Sequence, residues 1–495
     1  MTVAIIGAGP AGLVAAKTAL ECGLHPTVLE KSDRIGGLWK PGTGFVWDSM
    51  HTNLSYHSCM FSDAPWDNPS GDFPTQKEVY NYLELYASKN GIFNYTHFNS
   101  EVQKVSKASG QWRVEWLENK DIIQKDFDYV MVCSGIFSKA HVPSIPGLET
   151  FTGQVIHSRD YKNPDCFQGK KVVVVGNAFS GTEIAAELST VTAQTLHCIS
   201  KAMWVLPRYV PDSSSVKQPL DLVFFSRVAT EALKKLPEEE ENRQTHQWFQ
   251  HLTKQNEVAK ELIVTTPEEP QFSAISDTYI DQVKVSKIDL KQAKIIRVFQ
   301  NTIFFNDGTQ TDADALIFAT GYEAELPFFD AEILQKLDFC PQDRFQPLLL
   351  DKCTFNPDLP NMAFCGMQRG PYFCTMELQA RLAFHVFTNR VKAPSLSQMN
   401  AGIEIERKIR IQTPRPQFPH GNYVEFSDML AKEAGVLPDL EGLKESNTDL
   451  YKLLHEGPFN ASHYRLNGPF SNPEESVKYM RKMHLSLKSK NLRNL

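Results

Sequence analysis

Short unbroken apolar runs alternate with longer mixed stretches along the chain. Val3-Ala4-Ile5-Ile6 has the length and composition of a buried parallel strand. Gly7-Ala8-Gly9-Pro10-Ala11-Gly12 follows at once, and then an Ala-rich stretch over 13–20 reads as helical. A second run, His25-Pro26-Thr27-Val28-Leu29, ends in Glu30. The same order returns from Lys171. Lys171-Val172-Val173-Val174-Val175 leads into Gly176-Asn177-Ala178-Phe179-Ser180-Gly181, a helical stretch over 182–188, and a strand over 195–199 that ends at Ser200-Lys201. The pattern predicts an α/β protein with two Rossmann-like dinucleotide-binding units.

Each loop has a chemistry of its own. In the first, Gly7 allows the tight turn, and Gly9 lets the backbone approach a pyrophosphate. Gly12 lets helix and strand pack closely. Pro10 and Ala11 open the helix, whose N-terminus favours an anion. Glu30 stands eighteen residues after Gly12, near the spacing of an acid that holds ribose hydroxyls, with Lys31 next to it. Paired glycines in Gly36-Gly37-Leu38-Trp39 suit close passage of backbone beside a cofactor. In the second loop Ala178 replaces the middle glycine, so the backbone stands slightly farther from a phosphate. Lys201 lies twenty residues after Gly181, and no carboxylate stands where Glu30 stood. A carboxylate there would repel a 2′-phosphate; Ser200 and Lys201, with Arg208, could pair with one. Lys201 also reads as an ordinary surface lysine. The first site is expected to take FAD and the second NADP(H).

Two further strands look alike. Asp128 to Gly135 and Asp314 to Gly321 each end in a hydroxyl residue and glycine, with prolines beyond. They are expected to mark crossings between domains. The expected division is an FAD domain over 1–165, an NADP domain over 166–318, and the second part of the FAD domain over 319–495. A polar helical insertion is expected near 212–271, with helices over 220–236 and 241–262. Pro237-Glu238-Glu239-Glu240-Glu241 reads as a solvated turn.

Composition narrows the class. Apolar residues make 42% and charged residues 22% of 495, an ordinary globular balance. A formal charge of −7 argues against a nucleic-acid partner. Nine cysteines without a Cys-x-x-Cys pair argue against a disulfide framework and fit a reducing, cytoplasmic location. No apolar run reaches the length of a membrane span. The basic C-terminus reads as a solvated tail. No metal cluster, nucleophile triad or carboxylate pair stands out.

Between the loops lies Phe151-Thr152-Gly153-Gln154-Val155-Ile156-His157-Ser158-Arg159-Asp160-Tyr161. This string, flanked by the two glycine loops, resembles the flavin-containing monooxygenases, from the first residues to about Pro469. Ala319-Thr320-Gly321-Tyr322 is similar to the family's second linker. Glu377-Leu378-Gln379-Ala380-Arg381 and Tyr464-Arg465-Leu466-Asn467-Gly468-Pro469 are similar to its C-terminal segments. Met50-His51-Thr52-Asn53-Leu54-Ser55 is similar to the segment whose asparagine lies beside the flavin, and Asn53 is the matching position; a turn asparagine is the alternative.

The resemblance implies FAD, reduced by NADPH, with dioxygen adding at the flavin C4a. The resulting hydroperoxide gives one oxygen to a soft nitrogen or sulfur nucleophile. It implies contacts to the cofactors from Gly7, Gly9, Pro10, Ala11, Gly12, Glu30, Lys31, Gly37, Leu38, Trp39, Thr52 and Asn53. On the second site and the linkers it implies Gly176, Asn177, Ala178, Ser180, Gly181, Ser200, Lys201, Arg208, Thr320, Gly321 and Gln379. Baeyer–Villiger relatives carry tryptophan where Tyr161 stands, which favours heteroatom oxygenation. Ketone oxidation and a plain NADPH oxidase producing hydrogen peroxide are the alternatives. His157 is expected to fix the linker. Tyr56, Phe61, Trp66 and Tyr372 are expected at an entrance or in the core. The partners expected are a small nucleophile and O2, with a homodimer as one mode of assembly.

Overall fold

The computed structural model describes residues 1–210, 217–370 and 372–492. Of the ranges expected above, 211–216, 371 and 493–495 lie outside the described residues. Two five-stranded parallel sheets organise the chain. The first runs Met362–Phe364, Tyr129–Val132, Thr2–Ile6, His25–Leu29, Thr96–His97. The second runs Ile288–Gln292, Gln194–Ile199, Lys171–Val175, Ala315–Phe318, Gln154–His157. In each, the strand before the glycine loop sits at the centre.

Alternation along those central strands sets the layers. Val3 and Ile5 pack towards the helix Pro10–Glu21, while Ala4 and Ile6 pack towards an antiparallel three-stranded sheet. That sheet comprises Ser100–Ala108, Gln111–Glu118 and Asp121–Phe127. In the second unit Val172 and Val174 face the helix Phe179–Leu188 side. Val173 faces a second antiparallel sheet of Ile295–Phe299, Thr302–Phe305 and Gln310–Asp312. The two look-alike strands thus have one role: each follows an antiparallel sheet and pairs beside a glycine-loop strand.

The two crossings meet. Lys139–Ala140 pairs antiparallel with Tyr322–Glu323. All strands of the second sheet fall between these crossings, and Met362–Phe364 completes the first sheet after them. The second sheet begins earlier than 166, because Gln154–His157 is its edge strand.

Several element boundaries differ from the sequence expectations. The first loop helix begins at Pro10, since proline fits the first helical turn. The second begins at Phe179. In the insertion, the stretch expected to be helical over 220–236 is broken into Leu220–Phe224 and Arg227–Leu233. Phe225 is extended there, and the Ser226 side chain accepts from the Ala229 N–H as a new cap. The four glutamates after Pro237 form no turn; they are the first turn of the helix Glu238–Thr253. Negative charge at a helix N-terminus offsets the positive end of its dipole. That helix stops at Thr253, where Lys254 takes a φ of 51°. No helix among the described residues is long and apolar enough to cross a membrane.

Candidate functional site

Both glycine loops open into one cavity of about 1850 Å³. Drug-sized pockets reach about 1,000 Å³, so the space suits two extended ligands. The helices behind the loops carry no side-chain cap, with Gly9 and Ala178 in the cap positions. Their first-turn N–H groups are therefore available to an anion.

Most of the residues expected at the site line this cavity. Gly7, Gly9, Pro10, Ala11, Glu30 and Lys31 do so on the first unit, with Gly37, Leu38, Trp39, Thr52 and Asn53. Gly176, Asn177, Ala178, Ser180, Ser200 and Lys201 do so on the second, and Thr320 and Gly321 at the crossing. Glu30 is buried and holds the first loop: its carboxylate accepts from the Ala8 N–H at 2.8 Å and from the Ser32 N–H at 2.8 Å. Asn177 links the second loop to the turn after the next strand. Its amide donates to the Lys201 carbonyl at 3.2 Å and accepts from the Ser200 hydroxyl at 3.3 Å. The Lys201 ammonium lies 4.6 Å over the Phe272 ring.

Four expected residues lie outside the lining. Gly12 and Gly181 sit behind their loops, where an added Cβ would come within 1.8 Å of the Gly7 carbonyl oxygen and 2.0 Å of that of Gly176. Both positions thus demand glycine for packing. Gln379 is buried; it accepts from the Gly366 N–H at 3.0 Å and donates to the Cys353 carbonyl at 2.9 Å. Arg208 is also buried and fully engaged. It donates to Glu183 at 2.9 Å, Asp277 at 3.1 Å and the Thr52 carbonyl at 3.1 Å. It also reaches the Asn53 amide oxygen at 3.5 Å. The guanidinium expected at a 2′-phosphate instead ties the Thr52-Asn53 segment to the second unit.

The string over 151–161 joins the crossings. His157 Nδ1 accepts from the Arg159 N–H, so Nε2 carries the proton and donates to the Gly321 carbonyl at 3.0 Å. Burial pulls its pKa down, consistent with a neutral ring. Tyr161 is buried and donates to Glu187 at 2.8 Å, away from the cavity. Gly153 is required because a Cβ would lie 2.3 Å from the Asp314 carbonyl oxygen. Of the four aromatics, Phe61 is core, 5.0 Å from the Phe373 ring. Trp66 stacks on Tyr82 at 4.6 Å. Tyr372 lines the cavity, and Tyr56 does not.

Two features escaped the sequence reading. Asp221, on the insertion's first helix, lines the cavity and accepts from the Ser55 N–H, the Ser55 hydroxyl and the Ser58 hydroxyl at 3.1, 2.7 and 2.5 Å. Burial raises its pKa, against the pull of those hydrogen bonds. The insertion thereby clamps the segment just after Asn53. Its polarity gave a signal, but nothing local named its partner. The second feature is an arginine-rich wall around Arg344 and Arg369, contributed by loops without a motif.

The profile of the family described as Flavin-binding monooxygenase-like matches residues 1–494. A rat protein named Dimethylaniline monooxygenase [N-oxide-forming] 2 is 33% identical over 496 residues, covering 94% of this chain and 89% of its own. Among solved structures, the S-allyl-L-cysteine S-oxygenase of Allium sativum superposes with a TM-score of 0.63 at 21% identity, over 97% of this chain and 98% of that one. The open form of cyclohexanone monooxygenase gives 0.64 at 16% identity, over 88% of this chain and 98% of that one.

Proposed function

The chain belongs to the flavin-binding monooxygenase-like family, and from that premise we propose that it transfers one atom of O2 to a soft nitrogen or sulfur nucleophile, using FAD and NADPH. The balance is one substrate, one NADPH, one proton and one O2 giving one N- or S-oxide, NADP⁺ and water. Bound FAD supplies the oxygen-activating chemistry, and NADPH supplies the hydride.

The observation that carries this reading is the single cavity into which both uncapped helix N-termini open. The first loop, with Glu30, is assigned to FAD, on the unit of the first sheet. The second, with Ser200 and Lys201, is assigned to NADP(H), on the unit of the second sheet, whose strands run from Gln154 to Phe318. The residues present fit both groups: close-packed glycine turns, free N–H donors, and an acid on one side but a lysine on the other. Asn53 is held from behind by Arg208, and its neighbour Ser55 by Asp221. Its carboxamide is a neutral donor at the cavity that adds no acid. His157, neutral and bound to the Gly321 carbonyl, is a positioning residue for the crossing.

Tyr161 favours heteroatom over ketone oxygenation. The similar proteins named above span an N-oxide-forming enzyme, an S-oxygenase and cyclohexanone monooxygenase, so the test compares those three chemistries. The FAD-loaded chain should convert N,N-dimethylaniline or thioanisole to its oxide, with close to one oxide formed per NADPH and O2 consumed. If cyclohexanone alone yields product, the ketone alternative replaces this reading. If hydrogen peroxide accounts for all NADPH with every compound, the oxidase alternative does.

A further inference from the structure

Arg369 lies after the last strand of the first sheet, Met362–Phe364, and before the helix Phe373–Phe387. It lines the cavity, and its guanidinium carbon stands 4.3 Å from the centre of the Phe345 ring and 6.0 Å from that of Phe418. Among the described residues it makes no hydrogen bond and no ion pair. Burial, and then Arg344 and Arg415, both of its own sign, pull its pKa down to about 10, so it stays charged at neutral pH.

The neighbouring cations are not in the same position. Arg415 is neutralised by Asp343, at 2.8 Å through one nitrogen and closer through the other. Arg344 donates to the Thr320 carbonyl. A half-buried guanidinium without a counter-charge leaves a cation facing the cavity, where a ligand can supply the counter-charge.

A histidine packs beside it. His420 belongs to the same wall, with both ring nitrogens buried away from the cavity surface. A Cβ on Gly370 would approach His420 Nε2 to 2.9 Å, so the ring abuts the residue next to Arg369. Burial keeps His420 neutral, at a pKa of about 4. The rest of this wall is aromatic. Tyr372 lies 4.2 Å from the Tyr423 ring and 6.0 Å from Phe225, which ends the helix that carries Asp221. Asp221 in turn holds Ser55, two residues from Asn53. The wall thus runs from the unpaired guanidinium to the asparagine assigned beside the flavin.

We propose that Arg369 forms an anion subsite in the cavity, and that the substrates are apolar soft nucleophiles bearing a carboxylate. A carboxylate would take a charge-assisted pair from Arg369, while its apolar body lies along the aromatic wall. The substrate class rests on the oxygenation reading above; the anion subsite itself does not.

The test uses 4-(methylthio)benzoate and its neutral methyl ester, titrated calorimetrically into the FAD-loaded full chain with NADP⁺ present. Sulfoxide formation is followed in parallel with NADPH. Wild type should bind the acid about tenfold or more tightly than the ester. Arg369→Gln should bring that ratio to one or below, and Arg369→Lys should fall between. Each ratio is internal to one variant, so general damage cancels. Should the Gln variant not fold, the wild-type ratio and the Lys variant decide. Selective acid binding without any sulfoxide supports the subsite and removes the oxygenation reading. Sulfoxide from both compounds at equal affinity does the reverse. If Arg369→Gln leaves the ratio intact and weakens NADP⁺ instead, the guanidinium serves the coenzyme phosphate and the inference is overturned.

Discussion

Lys201 and Arg208 are both basic and both follow the second glycine loop, yet only one is available to a ligand. Arg208 spends its donors on Glu183, Asp277 and the Thr52 carbonyl, whereas Lys201 rests on Phe272 at the cavity. Lys201→Ala should therefore lower the preference for NADPH over NADH by about tenfold, the scale of one lost charge-assisted contact. Arg208→Ala should leave that preference in place and cost about 2–4 kcal/mol of stability, because two carboxylates lose their partner. Steady-state kinetics with both coenzymes and urea unfolding check the pair. Equal effects of the two changes on coenzyme preference would return Arg208 to the phosphate site. The place of Glu30 at the cavity, by contrast, was legible from spacing, because a strand end fixes where the next side chain points. Arg208 was not, since its partners lie 25, 69 and 156 residues away.

Helices and strands flanking the loops were legible because buried parallel strands leave an uninterrupted apolar run. The insertion was harder, because its helices are short and capped by local detail such as Ser226. The helix Leu396–Ile411 carries a titration that periodicity could not reveal. Burial pushes the Glu406 carboxyl up to about 7, with the Gln346 side chain donating to it. Its folded pKa lies above the unfolded value near 4.5, so the folded state binds the proton more tightly. The resulting stability is present at acid pH and is lost as pH rises from about 4.5 through about 7. Glu406→Gln mimics the protonated form, so the variant should gain on wild type across that window and level off above it. Partial exposure limits the gain to about 1–3 kcal/mol. Thermal melts at several pH values would show it; a difference that does not change with pH would remove Glu406 as its source.

At the scale of the whole molecule, the C-terminal segment is bound to the first unit through a buried ionic hub. Arg465 donates to the Ser62 hydroxyl at 2.7 Å, the Phe470 carbonyl at 2.9 Å and Glu377 at 3.0 Å. It also stands 3.4 Å from Glu21, at the end of the first loop helix, and 3.6 Å from Asp63. Lys17 pairs with both of those acids at 2.5 Å. The segment resembling the family's C-terminal strings is thus fastened to the helix whose N-terminus opens on the cavity. The strings themselves were visible in the sequence, but this closure over the chain's full length was not, since it pairs charges more than 400 residues apart. Arg465→Gln would leave Glu377 buried beside two other acids with one cation fewer. It should cost about 3–5 kcal/mol of unfolding free energy. Adding Glu377→Gln removes the stranded charge as well, so the double variant should recover about 1 kcal/mol or more relative to the sum of the single changes. Urea unfolding of the FAD-loaded chain measures all three variants. Strict additivity would mean that Arg465 acts through its hydrogen bonds to Ser62 and Phe470 and not through charge.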